Sequence, residues 1–439
     1  MEEDASLLSH MASLRYRMQP LLEQAGIELE WQVTNDERLR LVRGDAAKHV
    51  LRLTQEALAN AVHHSGARTV TVLCRHWAEI DSLLLCIADD ASPSSEVKAL
   101  LKSYAESDPR IKVAFRPENG HISAASNSAL ALATGAWIAL MDHDDLLPAD
   151  ALFWVADCIA RHPDVQLIYS DEDKVDEGTD RSDPYFKCDW NVDLFRSQNM
   201  FSHLGVLAAN LVRTVGGFRR GLEGSQDWDL VIRCMECVEP HQVRHIPRVL
   251  YHWRVHAEST AKSMDAKPYA AIAGERALNE HFERTGIRAV AEHVGYGYRV
   301  RYALPDAPPL VSLVIATRNA PASLRRCLDS ITRNTSYARY EIIVVDNASN
   351  TAAAKDLLAS IARSANVRVL THEQPQDAAT SHNAGAAAAV GDVVALLDDT
   401  LEVIGPHWLT EMVSLALQPG VGAVGARLLD EHDAVQHAG

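Results

Sequence analysis

The chain has 439 residues, 47% hydrophobic and 23% charged, which is the balance of a soluble globular protein of two or three domains. A net charge of −17 argues against a sequence-independent grip on nucleic acid. No apolar run reaches the length of a membrane span, and the acidic start MEEDASLLSH is no signal peptide. A cytosolic compartment is expected, with any attachment to the inner membrane face made through partners. Cys234 and Cys237 are the one close cysteine pair. They lie in a helical pattern with no second pair, so they read as reduced structural thiols.

From the start of the chain, Leu7 to Leu22 has helical periodicity and Ile27 to Val33 alternates like a strand. His49 to His64 is an amphipathic helix with Val50, Leu53, Ala57 and Ala61 on its core face. TVTVLC and SLLLCIADD read as strands. This order, and LTQEALANAVHHSGA in particular, resembles the ATP-binding domain of sensor histidine kinases. The resemblance implies Mg-ATP contacts at Glu56 and Asn60 and an adenine-recognising role for Asp89. That family needs glycines after the aspartate, where backbone approaches the nucleotide. Here Ala91-Ser92-Pro93 follows, and the next glycine is Gly120. The expectation for residues 1–82 is therefore a partial α/β-sandwich that binds no ATP.

Trp137 to Leu147, WIALMDHDDLL, is a short apolar run that stops at three carboxylates. Trp137 to Met141 reads as a strand buried on both faces, as in a parallel sheet. Asp142, Asp144 and Asp145 cannot share a core unpaired, so they belong at the carboxyl end of that strand, where α/β sheets bind ligands. Such hard oxygens suit Mg²⁺ or Mn²⁺. The plainer alternative is an acidic loop with helix-capping aspartates. Pro148 opens a helical pattern that runs to Arg161. Val165 to Tyr169 is strand-like and ends in a second acidic edge, Asp171-Glu172-Asp173. Asp227, in GSQDWDLVIRC, stands just before the helical pattern of Leu230 to Cys237; Asp is also a good helix cap.

The chain repeats itself. Asn127 precedes Asp142 by 15 residues and Asn383 precedes Asp398 by 15. Gly135 and Gly391 each stand seven residues before the acidic cluster, and CIADDAS matches IVVDNAS. Landmarks held at one offset mark a duplicated domain.

The order strand–D[DN]AS, N-x-G/A, strand–D-x-D resembles the family 2 glycosyltransferases of the GT-A fold. RPENGHISAASNSALALATG, LIYSDEDKVD, PYFKCDWNVD, GSQDWDL and LYHWRVHAEST resemble the bacterial polysaccharide-synthesis branch, over roughly residues 84–302. The resemblance implies inverting, metal-dependent transfer from a nucleotide-sugar donor to a glycan or lipid-linked saccharide. Asp89, Asp90 and Asn127, and in the second copy Asp346 and Asn383, would hold the nucleotide-sugar. Asp142 would meet ribose or metal, and Asp144 would ligate the metal. His252 and His256 are candidate metal or diphosphate contacts. Asp227 would be the base that deprotonates the acceptor hydroxyl. Gln226 replaces a glutamate often found beside it.

The fold class expected is α/β, with tandem GT-A domains after a partial sandwich of the histidine kinase ATPase type. The boundaries fall at 1–82, 83–303 and 304–439, with RYALPDAPP as the linker. The first copy lacks its own first strand, because LVSLVIATRN of the second corresponds by offset to Leu53–Val62, a helical pattern. The second copy stops before any counterpart of Asp227 and carries Thr400 where the first has Asp144. The rival readings are an ATP-binding kinase fragment and an inactive chimeric chain.

Overall fold

The structure is a computed structural model and describes residues 6–34, 37–64, 68–74, 83–176, 180–255 and 268–437. The chain packs as two compact units, Met1–Leu85 with Lys102–Lys112, and Cys86–Leu101 with Val113–Gly439.

The N-terminal unit contains α1 (Leu7–Gln24), β1 (Glu28–Val33), α2 (Glu37–Leu41), α3 (Gly44–His64) and β2 (Thr69–Cys74). β1 and β2 pair in parallel. Leu7, Met11, Leu14, Met18 and Leu22 line one stripe of α1 and share a core with Leu51 and Leu58 of α3. The face of α3 differs from expectation. Leu51 and Leu58 are buried, Val50 is only partly covered and Ala57 is exposed, because the leucines remove more apolar area from water than alanine does. The side chains of Leu53, Glu56, Asn60 and Ala61 lie outside the described residues.

The first repeat runs β3 (Leu85–Asp89), α4 (Ser95–Ser107), β4 (Ile111–Phe115), α5 (His121–Leu132), β5 (Trp137–Ala139), α6 (Ala151–Arg161), β6 (Leu167–Val175), β7 (Arg181–Tyr185), α7 (Val192–Ser197), β8 (Val206–Ala208), α8 (Ala209–Thr214), α9 (Gln226–Met235), β9 (Val243–Arg254), α10 (Pro268–Thr285), β10 (Ala289–His293) and β11 (Tyr298–Tyr302). The second runs β12 (Val311–Thr317), α11 (Pro321–Arg333), β13 (Tyr340–Asp346), α12 (Ala352–Ile361), β14 (Val367–Thr371), α13 (Ala378–Ala388), β15 (Val393–Asp398) and α14 (Trp408–Ala416).

The second repeat forms a parallel sheet in the order β14-β13-β12-β15, with β12 at its centre buried almost throughout. α13 lies hard against this sheet. A Cβ on Gly385 would come within 2.3 Å of Val314 Cγ1, so only glycine fits.

The first repeat has no counterpart of β12 among the described residues, and its sheet is divided. β3 and β4 pair only with each other, while β5, β8, β6 and β7 form a second sheet with β9 parallel to β6. The residues that correspond by offset lie inside α3, as the sequence indicated. α4 accordingly buries no residue, whereas its counterpart α12 buries Ala354, Leu357 and Leu358. β5 also departs from expectation. It is a short, half-buried strand with one antiparallel partner, Trp137 opposite Ala208, and among the described residues no strand flanks its other side.

β6 corrects the second acidic edge. The strand does not stop before Asp171 but continues to Val175, and Asp171, Glu172 and Asp173 are all buried within it. Each has a cationic or polar partner. Asp171 meets His245 Nε2 at 2.8 Å, Glu172 meets Lys187 Nζ at 3.2 Å, and Asp173 meets Arg181 Nε and His252 Nδ1, both at 2.5 Å. α9 begins at Gln226, so Asp227 lies in its first turn, and the N-cap position belongs to Ser225. Arg301 lies within β11 rather than in a linker, and with Arg299 it pairs with Glu411 of α14. Cys234 is buried, Cys237 is exposed, and both are thiols. Among the described residues no helix is long and apolar enough to cross a membrane.

Candidate functional site: paired strand-end turns and one acidic cluster

The duplication extends to individual hydrogen bonds. At the end of β3, Ser92 N donates to Asp89 Oδ1 at 3.3 Å; at the end of β13, Ser349 N donates to Asp346 Oδ1 at 3.0 Å. The next residue ties each strand end to a loop further on. Asp90 accepts from Gly120 N at 3.0 Å, and Asn347 accepts from Gln376 N at 2.6 Å. Ala91 and Ala348 both hold left-handed backbone, with φ of 60° and 56°. Asp90 also accepts from Arg116 Nε at 2.7 Å, and Arg116 reaches on to Ser128 Oγ at 2.8 Å in α5. Asp89 is buried, and its Oδ2 has no hydrogen-bond partner among the described residues. A buried carboxylate oxygen without a donor is a candidate acceptor for an N–H from a ligand.

The acidic cluster follows β5. Asp142, Asp145 and the His203 ring each place a ligand atom within 4.8 Å of the others. β9 holds them in place. Tyr251 donates its phenol to Asp145 Oδ2 at 2.5 Å and accepts from Asp142 N at 3.1 Å, while Arg254 N donates to Asp145 Oδ1 at 2.8 Å. The His203 ring stacks on Tyr251 with centroids 4.4 Å apart. Asp142 is exposed as a residue, yet protein packed around its carboxylate displaces enough water to lift it above the usual carboxylate range. Asp145, Asp227 and Asp144 add to this by charge repulsion, and His203 opposes it. Two carboxylates and an imidazole that crowd one another are a donor set that fits a divalent cation such as Mg²⁺ or Mn²⁺. Asp227 projects from α9 into the same region and accepts from Asn199 Nδ2 at 2.9 Å.

The expected site residues thus separate. Asp142 and Asp227 are brought together. Asp144 is at the rim, half-buried, with His143 Nδ1 3.7 Å away. His252 is occupied by Asp173 and is not one of the clustered ligands, and His256 lies outside the described residues. Both ends of the Asn127 amide are taken by Phe218 backbone, at 2.7 and 2.9 Å. Gln226 accepts from Gly224 N at 2.7 Å and so closes the turn before α9. Asn383 is exposed on α13. The sequence reading missed His203, Asn199 and the part played by Tyr251. His203 stands in SHLG, where no spacing marks it.

In the second copy the cluster is satisfied internally. Asp398 Oδ1 accepts from Thr400 Oγ1 at 2.6 Å, and Asp399 accepts from Thr317 Oγ1 at 2.5 Å.

These features define a doubled α/β protein with polar groups gathered at strand ends and one copy equipped with a clustered acidic centre. The chain belongs to glycosyl transferase family 2, whose model matches residues 67–221 and 312–436. It is 49% identical over 359 residues to "Uncharacterized protein y4gI" of Sinorhizobium fredii, covering 81% of this chain and 39% of that protein. It is 35% identical over 354 residues to "O-antigen biosynthesis protein RfbC" of Myxococcus xanthus, covering 80% of this chain and 28% of that protein. The chain therefore spans less than half the length of these curated relatives. Among solved structures, "Crystal structure of S. aureus TarS 1-349 in complex with UDP-GlcNAc" is similar at 16% identity and a TM-score of 0.35, over 45% of this chain and 62% of that one.

Proposed function

We propose that the first copy transfers a sugar from a nucleotide-sugar donor to a growing cell-surface glycan or lipid-linked saccharide, with inversion at the anomeric carbon. The convergence of Asp142, Asp145, His203 and Asp227 supports this reading. Asp142, with His203 and Asp145, would hold Mg²⁺ or Mn²⁺, and Asp144 stands at the rim as a further oxygen. When bound, the cation supplies Lewis-acid neutralisation of a leaving diphosphate.

Asp227 would take the proton from the acceptor hydroxyl, its carboxylate oriented by Asn199. The unpartnered Asp89 Oδ2 would accept an N–H of the nucleotide base, with Asp90 and Asn127 ordering the backbone around it. Asp346 and Asn383 would give the second copy at most a donor pocket. For the N-terminal unit we retain the kinase ATPase-like fold without ATP binding. The work would be done in the cytosol, at the membrane face when the acceptor is lipid-linked. The test is incubation of the full chain with Mn²⁺ and a panel of UDP- and dTDP-sugars, followed by mass spectrometry of products. Absence of both turnover and Mn²⁺-dependent nucleotide binding in calorimetry would refute the reading.

A further inference from the structure

Lys187 is buried, with no exposed side-chain surface, and its ammonium makes three contacts. It meets Glu172 Oε2 at 3.2 Å, Phe201 O at 3.2 Å and His203 O at 2.7 Å. Glu172 holds the same segment. Its Oε2 accepts from His203 N at 3.0 Å and its Oε1 from Ser202 Oγ at 3.4 Å. Both backbone groups of His203 are therefore gripped by one buried ion pair, and the next amide, Leu204 N, donates to Ser170 Oγ at 3.1 Å. Glu172 and Ser170 belong to β6, a buried central strand of its sheet, so the segment that carries the imidazole is fastened to the core of the repeat.

We propose that the Lys187–Glu172 pair is a positioning device: it fixes His203 on Tyr251 and so presents the imidazole to Asp142 and Asp145. The proposal rests on the metal-binding reading of that cluster. Physical reasoning favours this role over one of stability alone. A buried ion pair seldom stabilises more than apolar residues of the same volume, because desolvation of two charges offsets their attraction. What such a pair supplies here is direction, since an ammonium and a carboxylate together satisfy a carbonyl and an amide of one residue. Groups that orient a metal ligand from behind affect affinity without touching the ion.

The experiment compares the wild-type chain with Lys187→Met, with Lys187→Met/Glu172→Gln, which leaves no unpaired buried charge, with His203→Ala and with Lys187→Met/His203→Ala. Calorimetry with Mn²⁺ and UDP reads affinity, thermal unfolding reads the fold, and crystal structures of the metal-free variants read the position of His203. The expected result is that the charge-free double variant melts cooperatively yet loses Mn²⁺ affinity by about tenfold or more. Lys187→Met should add nothing further to His203→Ala. Losses that add in full would show that Lys187 does not act through His203, and would overturn the proposal. If the wild-type chain takes no Mn²⁺, the metal reading fails by itself. The crystal structures still decide the positioning claim: His203 displaced from its stack on Tyr251 supports it, and His203 unmoved overturns it.

Discussion

Tyr251 and Asp145 share a 2.5 Å hydrogen bond in which a buried phenol, its pKa raised by burial and by this bond, donates to a buried carboxylate. The same ring carries His203 on its face. Tyr251→Phe keeps the stack but leaves Asp145 Oδ2 without its donor. An unsatisfied buried acceptor costs about 1–3 kcal/mol, so unfolding should shift by that amount in chemical denaturation. Mn²⁺ affinity should fall as well, because Asp145 is then held by Arg254 N alone. An unchanged denaturation midpoint would show that solvent or another donor replaces the phenol.

Asp227→Asn tests the base. The amide oxygen can still accept from Asn199, so the local structure should persist and donor affinity should be retained. Transfer should fall by a factor on the order of 10² or more, because the variant cannot take a proton. Loss of donor binding to the same extent would identify Asp227 as a structural residue instead.

The two copies should answer differently to the same substitution. Asp142→Ala removes an oxygen from the clustered centre and should lower transfer by about 10² or more. Asp398→Ala, in the copy whose carboxylates are already bonded to threonines, should leave transfer within about twofold. Comparable losses from both would show that the second copy works.

Asp398 also provides a pH signature. The two Thr400 hydrogen bonds hold its carboxyl below the ordinary value of 3.8. A group with a lowered folded-state pKa contributes stability above its unfolded pKa, and that contribution is lost as pH falls through the folded value. Thr400→Val should therefore lower the thermal midpoint near neutrality, and the difference from wild type should shrink steadily below about pH 4. A difference independent of pH would mean that the threonine acts by packing.

Amide exchange should distinguish α4 from α12. The former buries no side chain, whereas the latter buries three, so α4 should exchange at least about tenfold faster in mass-spectrometric measurements. Equal protection would show that something else covers α4.

Much of this arrangement was legible in the sequence because its signals were local. An apolar run that meets Asp142, or a strand that ends in Asp-Asp-Ala-Ser, is visible within ten residues. The second copy also supplied a ruler: the residues that answer to β12 by offset read as helix in the sequence, and they lie in α3. Asp171, Glu172 and Asp173 misled because carboxylates in a row suggest an edge. The partners that let them lie inside β6 come from as far away as His245 and His252. His203 gave no signal for the same reason, since it is made a site residue by Lys187, Glu172 and Tyr251, none of which is its sequence neighbour.

The left-handed alanines at 91 and 348 have a further consequence. An L-residue in that conformation is strained by roughly 1–2 kcal/mol, yet both copies keep alanine there rather than glycine. Because both copies hold the same strained corner, the strain belongs to the repeated unit itself and not to anything peculiar to one site. It is inherited as a way of ending a strand.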